Sequence, residues 1–155
     1  MNTDYKNNLI FKLLPPFTHS YLSLVRLDKP IGFLLLFYPI GFVLASSGNI
    51  TSNNVLVLFL LFFLGSIIMR SAGCIVNDLI DTDIDKKVIR TKNRALASSK
   101  ISIKSALILF FALLVMGFLI LIQLNYEAII LGIVITPLIA LYPLAKRFFI
   151  LPQFI

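Results

Sequence analysis

Apolar residues in this chain fall into long runs separated by a few polar stretches, and the lengths of those runs set the expected elements. Residues 31–45 are 15 successive positions without a charge, short of the ~20 that a helix needs to cross a bilayer. The shortfall closes if the helix starts near Leu22, with Arg26, Asp28 and Lys29 among the headgroups and Pro30 as a kink or start point. Residues 55–76 form a second run of 22 whose one charge is Arg70. Residues 105–126 form a third run of 22, and residues 128–145 a fourth of 18 with Pro137 and Pro143 inside it. Between them lie a short uncharged turn at 46–54 and a polar connection of 28 residues at 77–104. A connection that long is functional or disordered in most proteins. Residues 1–20 read as a polar or interfacial arm, broken by Pro15-Pro16, with Phe11, Leu13, Leu14 and Phe17 at the interface. There is no internal repeat.

The expected fold class is therefore all-α: a polytopic membrane helical bundle with about four transmembrane helices over residues 21–155. The first span is placed at 22–46. Composition agrees, since 59% of the 155 residues are hydrophobic, Phe occurs 14 times and mean hydropathy is +0.96. A soluble domain of this size could not hide that much apolar surface. A formal charge of +7 would on its own invite a nucleic-acid partner, but the cations are confined to a few segments. That distribution is the mark of membrane topology, so no nucleic acid is expected. Residues 1–30 hold four Lys and Arg, residues 77–104 hold seven and the tail two, whereas the other two turns hold none. The positive-inside rule then puts both termini and the 77–104 loop in the cytoplasm, with the chain in a bacterial-type inner membrane. Ala45-Ser46-Ser47 after an apolar run resembles a leader cleavage site, but thirty residues precede that run and further spans follow, so cleavage is not expected.

The candidate chemistry sits where the second run ends. Asn77, Asp78, Asp81, Asp83 and Asp85 place four of the chain's seven acidic residues within eight positions. If the helix continues through them, Asn77, Asp81 and Asp85 recur at i, i+4 and i+8, with Asp78 bordering the same face. Carboxylates at that spacing repel unless a cation lies between them, and at a helix C-terminus they also oppose the helix dipole. Their hard oxygens suit Mg²⁺ or Ca²⁺, and no glycine hinge marks an EF-hand. Arg70 lies on the same stripe about two turns deeper. A charge inside a span faces either an internal partner, the surface by snorkelling, or an anionic ligand. The cations that follow suit lipid headgroups or a diphosphate, with Arg90 and Arg94, four apart, nearest the acids. Cys74, the single cysteine, is expected to pack as a small apolar residue, and His19 carries no catalytic inference.

Asn77-Asp78-x-x-Asp81-x-x-x-Asp85 followed by Arg90-Thr91-x-Asn93-Arg94 resembles the first aspartate-rich motif of the UbiA superfamily of intramembrane prenyltransferases. Arg26-Leu27-Asp28-Lys29-Pro30-Ile31-Gly32, Met69-Arg70-Ser71-Ala72-Gly73-Cys74, and Tyr142-Pro143-x-x-Lys146-Arg147 with Leu151-Pro152-Gln153 are similar to its 4-hydroxybenzoate branch. The resemblance implies a bundle of about nine helices, of which this chain is the N-terminal part. It also implies transfer of a polyprenyl group from polyprenyl diphosphate to the ring of 4-hydroxybenzoate in ubiquinone biosynthesis. Asn77, Asp78, Asp81 and Asp85 would bind Mg²⁺, the three aspartates being the catalytic candidates. Arg90, Lys92 and Arg94 would contact the diphosphate, with Asn77 beside them, and Arg70 would meet the carboxylate of the acceptor.

The sequence departs from that pattern in places. Asp83 and the Ala95-Leu96-Ala97 stretch are small differences. A second aspartate-rich motif is expected in such enzymes, and no Asp or Glu occurs after Glu127. A C-terminal half is thus the expected missing partner beside the lipid bilayer, and the chain is expected to be insufficient alone. Other readings are an inactive remnant, the complementing half of a split enzyme, a prenyltransferase for another acceptor, or a small four-span transporter. The transporter would want an acid within its first span, and residues 31–47 contain none.

Overall fold

The computed structural model describes residues 15–46 and 53–148. The first fourteen residues of the arm, most of the 46–54 turn and the tail from residue 149 lie outside the described residues. Within them are five α-helices and no strand: α1 (His19–Leu24), α2 (Ile31–Ser46), α3 (Asn53–Asp85), α4 (Ile103–Leu121) and α5 (Tyr126–Phe148). A 3₁₀ turn, Pro16–Thr18, leads into α1 after Pro15.

The expected spans 55–76 and 128–145 are each inside one helix, the span expected at 105–126 outruns α4, which ends at Leu121, and the first is divided. Residues 22–46 are not continuous, because α1 stops at Leu24 and α2 begins at Ile31, directly after Pro30. The 16 residues of α2 rise roughly 24 Å, less than the hydrocarbon thickness of about 30 Å. In contrast α3 runs for 33 residues without a break, through the whole acidic cluster. Its polar last nine residues add roughly 13 Å of helix beyond the apolar part. Two starts have local causes. The Ser102 hydroxyl accepts from the Ser105 amide at 3.1 Å and caps α4. The Asn125 side chain does the same for α5, accepting from Ala128 N at 3.2 Å.

Helix α3 is the axis of the bundle, packing against α1, α2, α4 and α5. Against α2 it makes an aromatic seam: Phe37 stands edge-on to Phe59 at 4.9 Å and to Phe63 at 5.3 Å, and Phe33 meets Phe63 at 5.9 Å. The densest core lies at the polar end, where Leu24, Val25, Ile75, Ala95, Leu96, Ile101 and Ala106 are buried together. The 86–102 connection is therefore a folded series of turns, and its Ala95 and Leu96 fill this core. Elsewhere large apolar side chains face outward, including Leu35, Phe42, Leu60, Ile108, Phe111 and Leu131. Hydroxyls along the helices back-bond to carbonyls four residues earlier, as Ser66 does to Phe62 and Thr136 to Gly132. Among the described residues α3 and α4 are long and apolar enough to cross a membrane, and with the shorter apolar α2 and α5 and that outer surface they make the chain an integral membrane protein.

Ala106 is fully buried and its neighbour Leu107 faces outward. Ala106→Leu is expected to lower stability by roughly 1–3 kcal/mol through overpacking. Leu107→Ala is expected to cost under about 0.5 kcal/mol. Thermal unfolding in one detergent measures both.

Candidate functional site

Arg70, Cys74, Asn77 and Asp81 succeed one another at three- and four-residue spacing along α3, so one face of a single helix carries them all. That face lines a polar cavity of about 410 Å³, together with Asp78. Arg26 and Lys29 enter it from the segment between α1 and α2, Gly32 from the first turn of α2, and Arg94 from the 86–102 connection. Gly32 has a specific job here. A Cβ at that position would stand 2.7 Å from Arg70 Nε, so the missing side chain is what lets the guanidinium lie against α2.

Asp78 is 3% exposed and is the electrostatic centre of the site. Its Oδ1 accepts from Arg26 Nη2 at 3.2 Å and from Arg94 Nη1 at 3.2 Å. Arg94 Nη1 also donates to Asp85 Oδ2 at 2.7 Å. One guanidinium nitrogen thereby separates two carboxylates that lie two helical turns apart on the same helix. Thr91 locks the connection in place, its Oγ1 donating to the Asp85 carbonyl at 3.2 Å.

Of the residues expected from the motif, Arg70, Asn77, Asp78, Asp81 and Arg94 come together around the cavity. Asp85 does not line it; it is buried behind Arg94. Arg90 and Lys92 are exposed on the turns and do not line it either. Asp83 makes an exposed pair with Lys86 at 3.1 Å. Arg26, Lys29 and Cys74 are cavity residues that reading the motif alone does not find; the signal for the first two was the Arg26–Gly32 block, read instead as headgroup charges. Cys74 is buried and free, as expected of a packing residue.

No group of three or more His, Cys, Asp or Glu among the described residues is arranged to hold a metal. Asp85 in particular has its carboxylate committed to Arg94. The donors that do face the cavity are Asn77, Asp78 and Asp81. Two carboxylates and an amide oxygen match what Mg²⁺ takes from a protein when phosphate oxygens and water complete its shell. Asp78 among them is paired with Arg26 and Arg94, and Asp85 lies outside the cavity lining.

Below the polar cavity lies an apolar one of about 760 Å³. The same faces of α2 and α3 line both. On α2, Gly32 belongs to the first, and Leu36 and Ile40, at four-residue steps, to the second. On α3, Arg70 belongs to the first, and Ser66, Met69 and Phe62 to the second. Helices α4 and α5 close it with Gly117, Leu121 and Gly132 among others.

Residues 34–155 match the model of the UbiA prenyltransferase family. The chain belongs to this family. Curated relatives agree. Over 133 residues the chain is 45% identical to a protein named 4-hydroxybenzoate octaprenyltransferase from Haemophilus ducreyi, covering 85% of this chain and 47% of the relative. Over 153 residues it is 42% identical to a mitochondrial 4-hydroxybenzoate polyprenyltransferase of Drosophila pseudoobscura, covering 99% and 38%. A third, the mitochondrial 4-hydroxybenzoate polyprenyltransferase of Caenorhabditis elegans, is 43% identical over 141 residues, 91% of this chain and 40% of that one. The chain thus spans half or less of the length of these relatives. No solved structure matches it. The aspartate stripe, Arg70, Cys74 and Arg94 fall inside the family match, whereas the cavity residues Arg26, Lys29 and Gly32 precede it.

The double role of Arg94 makes it a stability residue as well as a cavity residue. Arg94→Ala leaves Asp85 buried without that partner and Asp78 with Arg26 alone, and is expected to cost about 1–3 kcal/mol. Lys92→Ala, on the exposed side of the same turns, is expected to change stability by less than about 0.5 kcal/mol. Equal unfolding midpoints for the two variants in detergent would contradict the bridging geometry.

Proposed function

We propose that the chain carries the substrate-binding wall of a membrane enzyme that transfers a polyprenyl group from polyprenyl diphosphate to the ring of 4-hydroxybenzoate. The observation that carries this reading is the pair of cavities on one face of α2 and α3. A polar chamber with four cations against two carboxylates, set end to end with an apolar one, suits an amphiphile with an anionic head. The names of the curated relatives supply the chemistry of head, tail and acceptor.

In this reading Arg26, Lys29 and Arg94 bind the diphosphate through charge-assisted hydrogen bonds. Asn77, Asp78 and Asp81 would hold Mg²⁺, which when bound supplies positive charge to the departing diphosphate. Leu36, Ile40, Met69 and Phe62 hold the first part of the prenyl tail and keep water from it. The allylic carbon–oxygen bond breaks with its electron pair leaving on the diphosphate. The resulting cation forms a carbon–carbon bond ortho to the acceptor's hydroxyl, and the ring then loses a proton. Water exclusion matters because it would otherwise quench the cation. Arg70, against Gly32 at the floor of the polar chamber, orients the acceptor by its carboxylate.

We propose the cytoplasmic face of an inner membrane for the site, a reading that the cations of 77–104 support through the positive-inside rule. Further carboxylates from a C-terminal half would complete it, since α3 offers the cavity only two. The exposed Arg90 and Lys92 serve topology or the lipid surface in the ligand-free form, and reach the diphosphate only if the turns close over it.

The test uses membranes carrying the full-length protein, assayed for prenylated 4-hydroxybenzoate. Arg70→Ala is expected to raise the KM for 4-hydroxybenzoate by roughly tenfold or more and to leave that for the prenyl diphosphate within about twofold. Chelation with EDTA is expected to abolish turnover, and Mg²⁺ to restore it. An unchanged KM for the acceptor removes Arg70 from its role. Undiminished turnover in EDTA removes the metal.

A further inference from the structure

Arg26 has φ +59°, one of two non-glycine residues among the described residues with a positive value. It sits just past the C-cap of α1. The Leu27 amide donates back to the Leu22 carbonyl at 3.2 Å, the bond that closes a helix on a left-handed residue. Glycine usually fills that position, because a Cβ there costs about 1–2 kcal/mol. The chain puts arginine there instead. Its side chain then enters the polar cavity, with Nη2 on Asp78 and a buried Nε that makes no hydrogen bond within the protein.

A strained backbone persists only where its surroundings enforce it. Leu24 and Val25 are anchored in the core beside Ile75. The second anchor is polar. Ser71, buried on α3 next to Arg70, has its hydroxyl 2.7 Å from the Ile67 carbonyl and 3.2 Å from the Val25 carbonyl. The Ile67 contact is the ordinary back-bond of a helical serine. The Val25 contact crosses between elements and lands on the peptide that joins Val25 to Arg26. Ser71 itself lines neither cavity.

We propose that Ser71 is a positioning residue, whose hydroxyl pins the Val25–Arg26 peptide in the left-handed turn that aims Arg26 at Asp78 and at the anionic head of the ligand. The proposal rests on the diphosphate reading of the polar cavity. Ser71 acts through Arg26, so its effect disappears when Arg26 is gone. A serine that merely held α3 together would exert its effect whatever stood at position 26.

The experiment is a double-mutant cycle on the full-length protein in detergent. The probe is geranyl thiolodiphosphate, a slowly reacting prenyl diphosphate analogue, titrated calorimetrically with Mg²⁺ present. Ser71→Ala is expected to weaken binding by roughly tenfold, and Ser46→Ala, which removes a helical back-bond to Phe42 at a position lining neither cavity, by less than about twofold. In an Arg26→Gly background, where the left-handed turn is free of strain, Ser71→Ala is expected to add less than about twofold. A full multiplicative loss there, or no loss in the parent, overturns the proposal. The ligand-free protein gives a second readout: the Arg26 Nε–H resonance shifts in Ser71→Ala and stays in Ser46→Ala. An unmoved resonance in both also overturns it. A parent that binds no analogue, with the resonance shifting as expected, overturns the diphosphate reading and supports the positioning of Arg26.

Discussion

The structure depends on one buried carboxylate. Asp78 sits near the end of the longest helix, almost out of contact with solvent, and a charge there is tolerable only with partners. Both partners come from far away in the chain. Arg26 is supplied by the segment before α2 and Arg94 by the turns after α3, so satisfying Asp78 brings three separate segments to one point. The apolar core of Leu24, Val25, Ile75, Ala95, Leu96 and Ala106 packs the same three segments together. Polar and apolar terms thus specify one arrangement, and that consistency across levels is what makes the polar end of the bundle well defined.

The same arrangement explains why the cavity can accept an anion. Arg26 and Arg94 meet on one oxygen of Asp78, which leaves most of their donors for something else, and Lys29 and Arg70 stand nearby. Directly beyond them the lining turns apolar, because α2 and α3 carry Leu36, Ile40, Phe62 and Met69 on the stripes that also bear Gly32 and Arg70. Membership of the UbiA prenyltransferase family accords with the proposal that the two cavities take the two ends of one amphiphilic molecule.

Much of this was legible in the sequence, for definite reasons. A helix that enters a membrane must keep its backbone bonded, so continuing it through Asp85 gave the correct shared stripe of Arg70, Asn77 and Asp81. The errors arose where distant segments decide the outcome. Spacing groups Asp85 with the cavity stripe, but the turns bring Arg94 within 2.7 Å of it and it does not line the cavity. Arg90 and Arg94 looked equivalent, yet the hydrogen-bonded turns from Val88 to Ser98 send only Arg94 back toward α3. Arg26 and Lys29 looked like headgroup charges at the mouth of a continuous first span. Nothing in local propensity indicates that an arginine will take a glycine-like backbone and split that span at Leu24. Gly32 could have warned of a close approach, since only the fold says that Arg70 is what approaches it.

The claim that the two cavities form one amphiphile site is tested most directly by photolabelling. A prenyl diphosphate analogue with a benzophenone in its tail would be irradiated with the full-length protein in membranes, and the labelled residues mapped by mass spectrometry. The account predicts label on the apolar lining shared by α2 and α3, at Leu36, Ile40 or Met69, and its loss when unlabelled geranyl diphosphate is added in excess. Label spread over the outward-facing Leu35, Phe42 and Ile108, unaffected by that competitor, would contradict it.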